Sequence, residues 1–361
     1  ILRLYERHGA EFAHKLNGMF AIAICDVVKE KIYLIRDRVG EKPLYIFDDG
    51  KTLLFASEIK SLLSVGIPRE LDRDALNHFL TYNYVPPPKT IFRGITHIEP
   101  GCIAELNRTG VHVRRWWELA DQTVEQKTEQ AWIEEFNSIL EDAVRLRLRS
   151  DVPFGAFLSG GVDSSSVVGL MSAELEIPIK TFCIGFDDKR FDESSYAKVA
   201  ADRFGTEHTT QIVDANMFDT WPSSIYYCDQ PHGDVSFLPM RRLSELASRD
   251  VKMVLTGDGG DELFAGYTKY RDFFQASENR GVSDPQFQRG YYKNISLFDD
   301  EGKSTLLSRE LTQGLMEPDS FSVVQPLFQK ARDMDRVNQA LYIDMMILLA
   351  GNNLVKPDRM A

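Results

Sequence analysis

Between residues 154 and 255, short apolar runs alternate with helical stretches, and this alternation constrains the fold of the chain more than any other feature. Short apolar runs bounded by turn residues predict strands, whereas apolar residues spaced three and four apart predict helices. Strands that alternate with helices are joined by right-handed crossovers into a parallel sheet covered on both faces. The predicted strands are 154–158, 179–184, 208–213 and 252–255, and a helix over 129–149 precedes them.

The first third of the chain has a different pattern. Strand-like runs over 19–58 are separated by short polar turns, which predicts antiparallel hairpins, and a further hairpin is predicted over 102–117. A helix over 72–82 is expected to begin with Asp72 as its N-cap. We therefore predict an α+β antiparallel part over 1–117, a polar linker over 118–128, and an α/β domain with a doubly wound parallel sheet over 129–361.

The composition narrows the functional classes. The chain has 54 Asp and Glu against 42 Lys and Arg, and the resulting formal charge of −12 opposes nonspecific binding to nucleic acid or to an anionic membrane. The longest apolar stretch, near 342–350, is too short to cross a bilayer. Four widely separated cysteines without a CxxC pair are typical of a reduced, cytoplasmic protein. Because the sequence starts in a helical pattern without an initiator Met, we expect it to be an internal part of a longer protein.

The run Ser-Gly-Gly-Val-Asp-Ser-Ser at 159–165 lies directly between a predicted strand and a predicted helix. Its glycines let the backbone turn sharply and approach an anion, and its serines add hydroxyl donors. The next helix adds unpaired N–H groups and the positive end of its dipole. Asp163 would repel an anion unless a cation lay between them, so the motif predicts a polyphosphate site with Mg²⁺. The alternative interpretation is a plain glycine-rich turn before a helix.

A second unusual run, Thr-Gly-Asp-Gly-Gly-Asp-Glu at 256–262, follows the last predicted strand. In open α/β sheets, ligands bind at the carboxyl ends of the strands, so one crevice would receive both motifs. The acidic groups of the second motif could bind the same metal or activate an attacking group. Alone, the run could also be a tight loop before an acidic helix start.

These motifs resemble those of a known family. Residues 159–165 are similar to the pyrophosphate-binding motif of the ATP pyrophosphatases, and residues 255–267 to its partner loop in glutamine-hydrolysing asparagine synthetases. The first part of the chain agrees independently, because residues 16–21, 37–45 and 55–60 resemble the Ntn-type glutaminase domain of these enzymes. Residues 90–94 and 354–360 also match the family, so the resemblance covers nearly the whole chain in order.

The resemblance implies an enzyme that converts aspartate, ATP and glutamine to asparagine, AMP, pyrophosphate and glutamate. ATP and Mg²⁺ are the implied cofactors, and the oligomeric state is left open, with a homodimer as one option. Asp258 stands where well-studied members carry Glu, a residue implicated in adenylate formation, and Asp261 is the second expected metal ligand after Asp163. The other implied nucleotide-binding residues are Ser159, Gly160, Gly161, Ser164 and Ser165 for the phosphates, Phe157 and Ile184 for adenine, and Thr256 and Gly257 for further contacts with the nucleotide.

The glutaminase nucleophile of the family is an N-terminal cysteine whose α-amine acts as the base. No residue of this sequence matches it. Cys25 lies within an apolar strand, and we expect it to belong to the core rather than to act as a nucleophile. The segment 229–234 is expected to help form the acceptor pocket, and a polar loop between helices is an equally good interpretation.

Three other functions remain open. Relatives of the β-lactam synthetase type, or enzymes that amidate peptides or sugars, share the motifs but activate another carboxylate. ATP pyrophosphatases that make GMP, NAD or argininosuccinate share the 159–165 motif but not the 16–60 pattern. A nucleotide sensor without catalysis is the third, and the acidic residues Asp163, Asp258 and Asp261 argue against it because a sensor needs no metal-clamped leaving group.

Overall fold

The structure is a computed structural model, and it describes residues 1–121 and 125–360. Its strands are β1 (Ala21–Asp26), β2 (Lys31–Arg36), β3 (Tyr45–Asp48), β4 (Leu53–Ala56), β5 (Ile95–His97), β6 (Cys102–Asn107), β7 (Gly110–Arg115), β8 (Phe154–Phe157), β9 (Lys180–Phe186), β10 (Glu207–Val213) and β11 (Met253–Leu255).

The α-helices are α1 (Leu2–His8), α2 (Ile59–Ser64), α3 (Arg73–Tyr82), α4 (Glu129–Arg147), α5 (Val162–Glu174), α6 (Ser194–Phe204), α7 (Trp221–Cys228), α8 (Phe237–Ala247), α9 (Gly260–Phe264), α10 (Thr268–Gln275), α11 (Asp284–Ile295), α12 (Asp300–Leu306), α13 (Arg309–Thr312), α14 (Phe321–Lys330), α15 (Arg336–Asp344) and α16 (Val355–Met360). Short 3₁₀ turns lie at Gly9–Lys15, Leu119–Asp121, Ala215–Thr220 and Ser277–Asn279, and Met345–Asn353 forms a π-helix between α15 and α16. Within the described ranges, no helix combines the length and the apolar character needed to span a bilayer.

The chain divides into two compact units. The described residues of the first unit are 1–121, Ile225–Asp234 and Asp261–Asp358, and those of the second unit are 125–224, Val235–Gly260 and 359–360. The two later segments of the first unit thus come from the region that the sequence pattern groups with the parallel sheet. The predicted linker over 118–128 includes residues 122–124, which lie outside the described part of the chain.

The first unit contains two antiparallel sheets, in the orders β1-β2-β6-β7 and β4-β3-β5. The pairs β1–β2, β3–β4 and β6–β7 are the predicted hairpins, and the last of them turns between the paired residues Asn107 and Gly110. The helix α3 begins where expected, because the Asp72 side chain accepts a hydrogen bond from the amide of Ala75. Alternate apolar residues of β2 and β6 enter two different core clusters, with Tyr33, Ile35 and Ile103 in one and Leu34, Ala104 and Leu106 in the other.

The prediction that Cys25 belongs to the core is wrong. Cys25 lies on β1 at the edge of its sheet and is exposed, whereas its neighbour Ile24 is 5% exposed and packs in the core. Successive side chains of a strand point to opposite faces, so Cys25 faces the side of the sheet opposite to Ile24. The apolar run alone did not show which face that would be.

The second unit contains one parallel sheet in the order β10-β9-β8-β11. This observation confirms the predicted strands and their parallel pairing. Apolar residues of β8, β9 and α5 form one core cluster, and a second cluster packs Phe157 and Phe182 against α8. Together the two units give the chain the mixed fold class that the sequence predicts, with antiparallel sheets and a parallel sheet.

Candidate functional site

Both unusual motifs follow neighbouring strands of the parallel sheet. Residues 159–165 come just after β8 and lead into α5, and residues 256–260 come directly after β11. Because β8 and β11 pair in parallel, their carboxyl ends lie at the same edge of the sheet. The sheet topology therefore brings the two motifs together, as the sequence predicted.

The first motif folds into a tight turn at the start of α5. Gly160 has a φ of +83°, and Gly161 is the N-cap of the helix. The Oγ atoms of Ser159 and Ser164 lie 3.0 Å apart, and the amide of Gly161 donates to Ser159 Oγ at 3.2 Å. The first N–H groups of a helix have no carbonyl partner within it, so this turn presents donors and a positive dipole end to an anion.

The second motif packs directly on Asp163. A Cβ atom at Gly257 would lie 2.8 Å from the amide nitrogen of Ser164 and 2.9 Å from Cβ of Asp163. A Cβ atom at Gly260 would lie 2.5 Å from Cγ of Asp163. Only glycine at these two positions allows the loops to approach this closely. The carboxylate of Asp163 therefore lies where the two motifs meet.

The donors at this junction fit Mg²⁺. A half-buried carboxylate and serine hydroxyls are hard oxygen ligands, and a magnesium ion typically takes one or two carboxylates together with phosphate oxygens. Within residues 1–121 and 125–360, no three His, Cys, Asp or Glu side chains are grouped as they would be around an all-protein metal site.

We expect Gly160→Ala to disrupt the first motif. An added Cβ would meet the positive φ and would also clash with the carbonyl carbon of Tyr196. Together these should lower the free energy of unfolding by about 2–4 kcal/mol, as measured by denaturant titration. Gly205→Ala is the matched control, because Gly205 also has a positive φ but no atom within 4 Å of the position that an added Cβ would take. An equal loss in both variants would show that the close approach contributes nothing.

The other predicted nucleotide contacts occupy different environments. Ile184 on β9 and Thr256 after β11 are half-buried, while Phe157 is 7% exposed and packs in the core cluster with Phe182. Asp258 is exposed, and its amide donates to Thr256 Oγ1 at 3.4 Å. The carboxylate of Asp258 is thus accessible to a ligand, whereas the ring of Phe157 is largely buried in the core.

The acidic end of the second motif, Asp261 and Glu262, belongs to the first unit, and its two side chains differ in burial. Asp261 is half-buried, whereas Glu262 is fully buried and accepts hydrogen bonds from Tyr267 OH at 2.8 Å and Asn353 Nδ2 at 2.5 Å. Burial, and then the charge of Glu262, raise the pKa of the Tyr267 hydroxyl, so Tyr267 keeps its proton and remains a donor. Glu262 is therefore a buried hydrogen-bond acceptor for Tyr267 and Asn353.

Sequence reasoning missed the residues that bind the carboxylates of Glu262 and Asp234. Asn352 and Asn353 are adjacent residues at the end of the π-helix, and Asn352 Nδ2 donates to Asp234 Oδ2 at 3.1 Å and to Asn353 Oδ1 at 2.9 Å. Lys356 of α16 donates to the same oxygen of Asp234 at 2.9 Å. Two polar residues within the otherwise apolar stretch before 354–360 were the available signal.

The glutaminase-like residues 37–45 and the preceding Arg36 form a turn around two buried charged side chains, Asp37 and Arg36. Asp37 accepts hydrogen bonds from the amides of Gly40, Glu41 and Lys42 at 2.7, 3.0 and 3.0 Å. The Arg36 guanidinium donates to the carbonyl groups of Lys42, Ile98 and Gly40, and burial lowers its pKa to about 10. Arg36 thus remains charged at neutral pH, and both side chains hold the backbone.

Comparison with known proteins agrees with this architecture. The family described as asparagine synthase matches residues 135–361, and the glutamine amidotransferase domain matches residues 1–117. A putative glutamine-hydrolysing asparagine synthetase of Mycobacterium tuberculosis is 32% identical over 99% of this chain and 60% of that protein.

Two further relatives have similar names. A putative glutamine-hydrolysing asparagine synthetase 2 of Methanocaldococcus jannaschii is 36% identical over 80% of this chain and 57% of that protein. The glutamine-hydrolysing asparagine synthetase 1 of Bacillus subtilis is 29% identical over 100% of this chain and 61% of that protein. The chain spans about 60% of the length of these curated relatives. The family match covers residues 135–361, and the two motifs of that region meet at Asp163. The chain therefore belongs to the asparagine synthase family.

Proposed function

We propose that the protein containing this chain uses ATP to activate aspartate and converts it to asparagine with ammonia taken from glutamine. In this proposal, residues 129–361 belong to an ATP pyrophosphatase domain with a doubly wound sheet, and residues 1–117 to an Ntn-type glutaminase domain. The contact between Asp163 and the glycines of the second motif carries the proposal, because it brings a carboxylate next to amides and hydroxyls that can donate hydrogen bonds to a phosphate.

The chemistry needs two displacements. An oxygen of the acceptor carboxylate attacks the α-phosphorus of ATP, the bond to the bridging oxygen of the β-phosphate breaks, and pyrophosphate leaves. Ammonia then attacks the acyl carbon, the bond to AMP breaks, and the nitrogen loses a proton. A carboxylate is a poor electrophile. The first step joins it to AMP, which is a good leaving group when ammonia attacks.

The residues of the second unit can serve the first displacement. The turn at 159–165 would bind the β- and γ-phosphates through its amides and hydroxyls and stabilise the charge of the leaving pyrophosphate. Asp163 would hold Mg²⁺, which supplies charge neutralisation when it is bound. Asp258, with its exposed carboxylate, is the candidate for acid–base assistance. Asp261 remains a further predicted metal ligand.

The decisive experiment is pyrophosphate release with a panel of acceptors. The protein would be incubated with Mg²⁺-ATP, ammonium chloride and aspartate, glutamate or a β-amino acid, and pyrophosphate and AMP would be quantified. We expect release to depend on aspartate and to yield equal amounts of AMP and pyrophosphate. Release with another carboxylate alone would favour the β-lactam synthetase type, and ATP binding without release would favour a sensor.

A further inference from the structure

A buried polar cluster in the first unit joins α3 to the segment 316–320, which precedes α14. It consists of Asn77 and His78 on α3, Lys303 on α12, and Ser320, and we call it the Ser320 cluster. None of these four residues is more than 3% exposed, and all lie in the same compact unit. The cluster therefore connects residues of the glutaminase-like part of the sequence with residues of the synthetase-like part.

Hydrogen bonds from α3 hold the segment 316–320 in place. Asp74 Oδ1 accepts hydrogen bonds from the first two amides of the segment, at 2.8 and 2.9 Å. Asn77 Nδ2 donates to two of its carbonyl groups, at 3.0 and 3.2 Å. Tyr82 OH donates to the carbonyl of Ser320 at 2.7 Å. The Ser320 side chain is thus at the end of a segment whose backbone is already bound to α3.

The Ser320 hydroxyl has three described contacts. Its Oγ atom lies 2.9 Å from His78 Nδ1, 3.2 Å from Lys303 Nζ and 3.3 Å from Asn77 Nδ2. An ammonium and an amide nitrogen can only donate, so among these three atoms Nδ1 alone can accept the hydroxyl proton. Neutral His78 therefore carries its proton on Nε2, and its Nδ1 accepts from Ser320.

A proton on Nδ1 is incompatible with this arrangement. The Ser320 oxygen would then face three donors with two lone pairs, and its own proton would have no acceptor among these contacts. A buried polar group that loses its partner costs stability. The charged imidazole would also share this oxygen with the ammonium of Lys303, so two positive charges would meet in a buried site.

The charges around His78 oppose one another. Glu317 Oε2 lies 3.5 Å from His78 Nε2, beyond a normal hydrogen bond, and Glu317 also pairs with Lys89 at 3.2 Å. Burial lowers the pKa of His78 from its usual value and Lys89 adds to this effect, whereas Glu317 and Asp74 oppose it. Charged side chains on the neighbouring elements also include Asp300, which pairs with Lys303 at 2.9 Å, Asp319, which pairs with Arg289 at 2.8 Å, and Arg73, which donates to the carbonyl of Glu310 at 3.1 Å.

We propose that the Ser320 cluster is a pH-sensitive contact, which holds the segment 316–320 on α3 while His78 is neutral and releases it when acid protonates His78 at Nδ1. The inference goes beyond the proposed function and does not depend on it, because it concerns a contact inside the first unit. Histidine in an unfolded segment has a pKa of about 6.5. Since the intact cluster binds the proton less readily, it contributes stability above that pH and loses it as the pH falls.

Hydrogen exchange between pH 7.5 and pH 5.5 tests this contact in the intact protein. After correction for intrinsic exchange rates, we expect the equilibrium constant for opening of residues 316–320 to rise by about five- to tenfold over this range, as one proton allows. The strands β2 and β6 of the same unit are the internal reference. A rise no larger than that of β2 and β6 would overturn the inference.

Two variants identify the titrating group. His78→Asn removes the imidazole, while its amide oxygen can still accept the Ser320 proton, so the rise on acidification should disappear. His112→Asn is the matched control, because His112 is an exposed histidine on β7 of the same unit, and it should keep the wild-type response. An equal rise in His78→Asn and in wild type would assign the effect to another group and refute the role of His78.

Nitrogen NMR of wild-type protein labelled at histidine gives a second measurement that needs no variant. We expect His78 to be the Nε2–H tautomer at pH 7.5 and to titrate with a pKa below that of an exposed histidine such as His112. The Nδ1–H tautomer, or a raised pKa, would overturn the inference even if His78→Asn weakened the cluster at neutral pH. Neither measurement involves pyrophosphate release, so failure of the proposed function would leave this test unaffected.

Discussion

Asp163→Asn should lower kcat/KM for Mg²⁺-dependent pyrophosphate release by about 10²–10³-fold and leave the fold unchanged. The side chain lies against Gly257 and Gly260, so an amide of the same size fills the same space. What disappears is the negative charge that allows a cation to sit between the loop and the phosphates. Release would be measured by a coupled pyrophosphate assay over a range of Mg²⁺ concentrations, with thermal unfolding as the check on folding.

Asp142→Asn is the control for this variant. Asp142 lies on α4 in an exposed ion pair with Arg145 at 2.6 Å, so its replacement removes the same charge from the same unit. Exposed ion pairs contribute little to stability, and we expect nearly wild-type release. Comparable activity of Asp163→Asn and Asp142→Asn would remove Asp163 from the mechanism and with it the central support for the proposed function.

The location of the phosphate-binding motifs could be predicted from sequence because it depends on local signals. A strand, a glycine turn and a helix start follow one another within residues 154–165, and each has its own pattern. The meeting of the two motifs follows from the rule that parallel strands end at the same edge. The close fit of Gly257 and Gly260 on Asp163 was not predictable, because it depends on the separation of two loops that lie about 100 residues apart in the sequence.

Other features depend on long-range packing, which periodicity does not report. The sequence predicts the helix α4, but it does not show how little of it is buried: Val144 alone is buried among its described residues, and Ile139 is 61% exposed. The grouping of Ile225–Asp234 with residues 1–121 depends on contacts such as that of Asp229 with Lys60. Glu262 illustrates the same limit, since its burial depends on Tyr267 and on Asn353, about 90 residues away.

Asp258→Asn should lower kcat and kcat/KM together by about 10²–10⁴-fold, with little change in the dissociation constant for ATP. A group that acts only in the transition state affects the rate and not the ground-state affinity. The exposed position of Asp258 after β11 agrees with this role, because an exposed carboxylate can reach a substrate. The carboxylate of Glu262, in contrast, is buried and hydrogen-bonded to Asn353. Single-turnover kinetics and equilibrium ATP binding would measure the two quantities separately.

Asp258→Glu is the sharper probe of the same residue. Glutamate keeps the charge but adds one methylene, which moves the carboxylate by about 1 Å, and a misplacement of that size can cost roughly 10²-fold in rate. Because Asp258 is exposed, the longer side chain of glutamate has room to adjust the position of its carboxylate. We therefore expect a smaller loss for Asp258→Glu than for Asp258→Asn. If Asp258→Asn kept full synthetase activity, Asp258 would be only a turn residue, and the acid–base role would pass to another carboxylate such as Asp261.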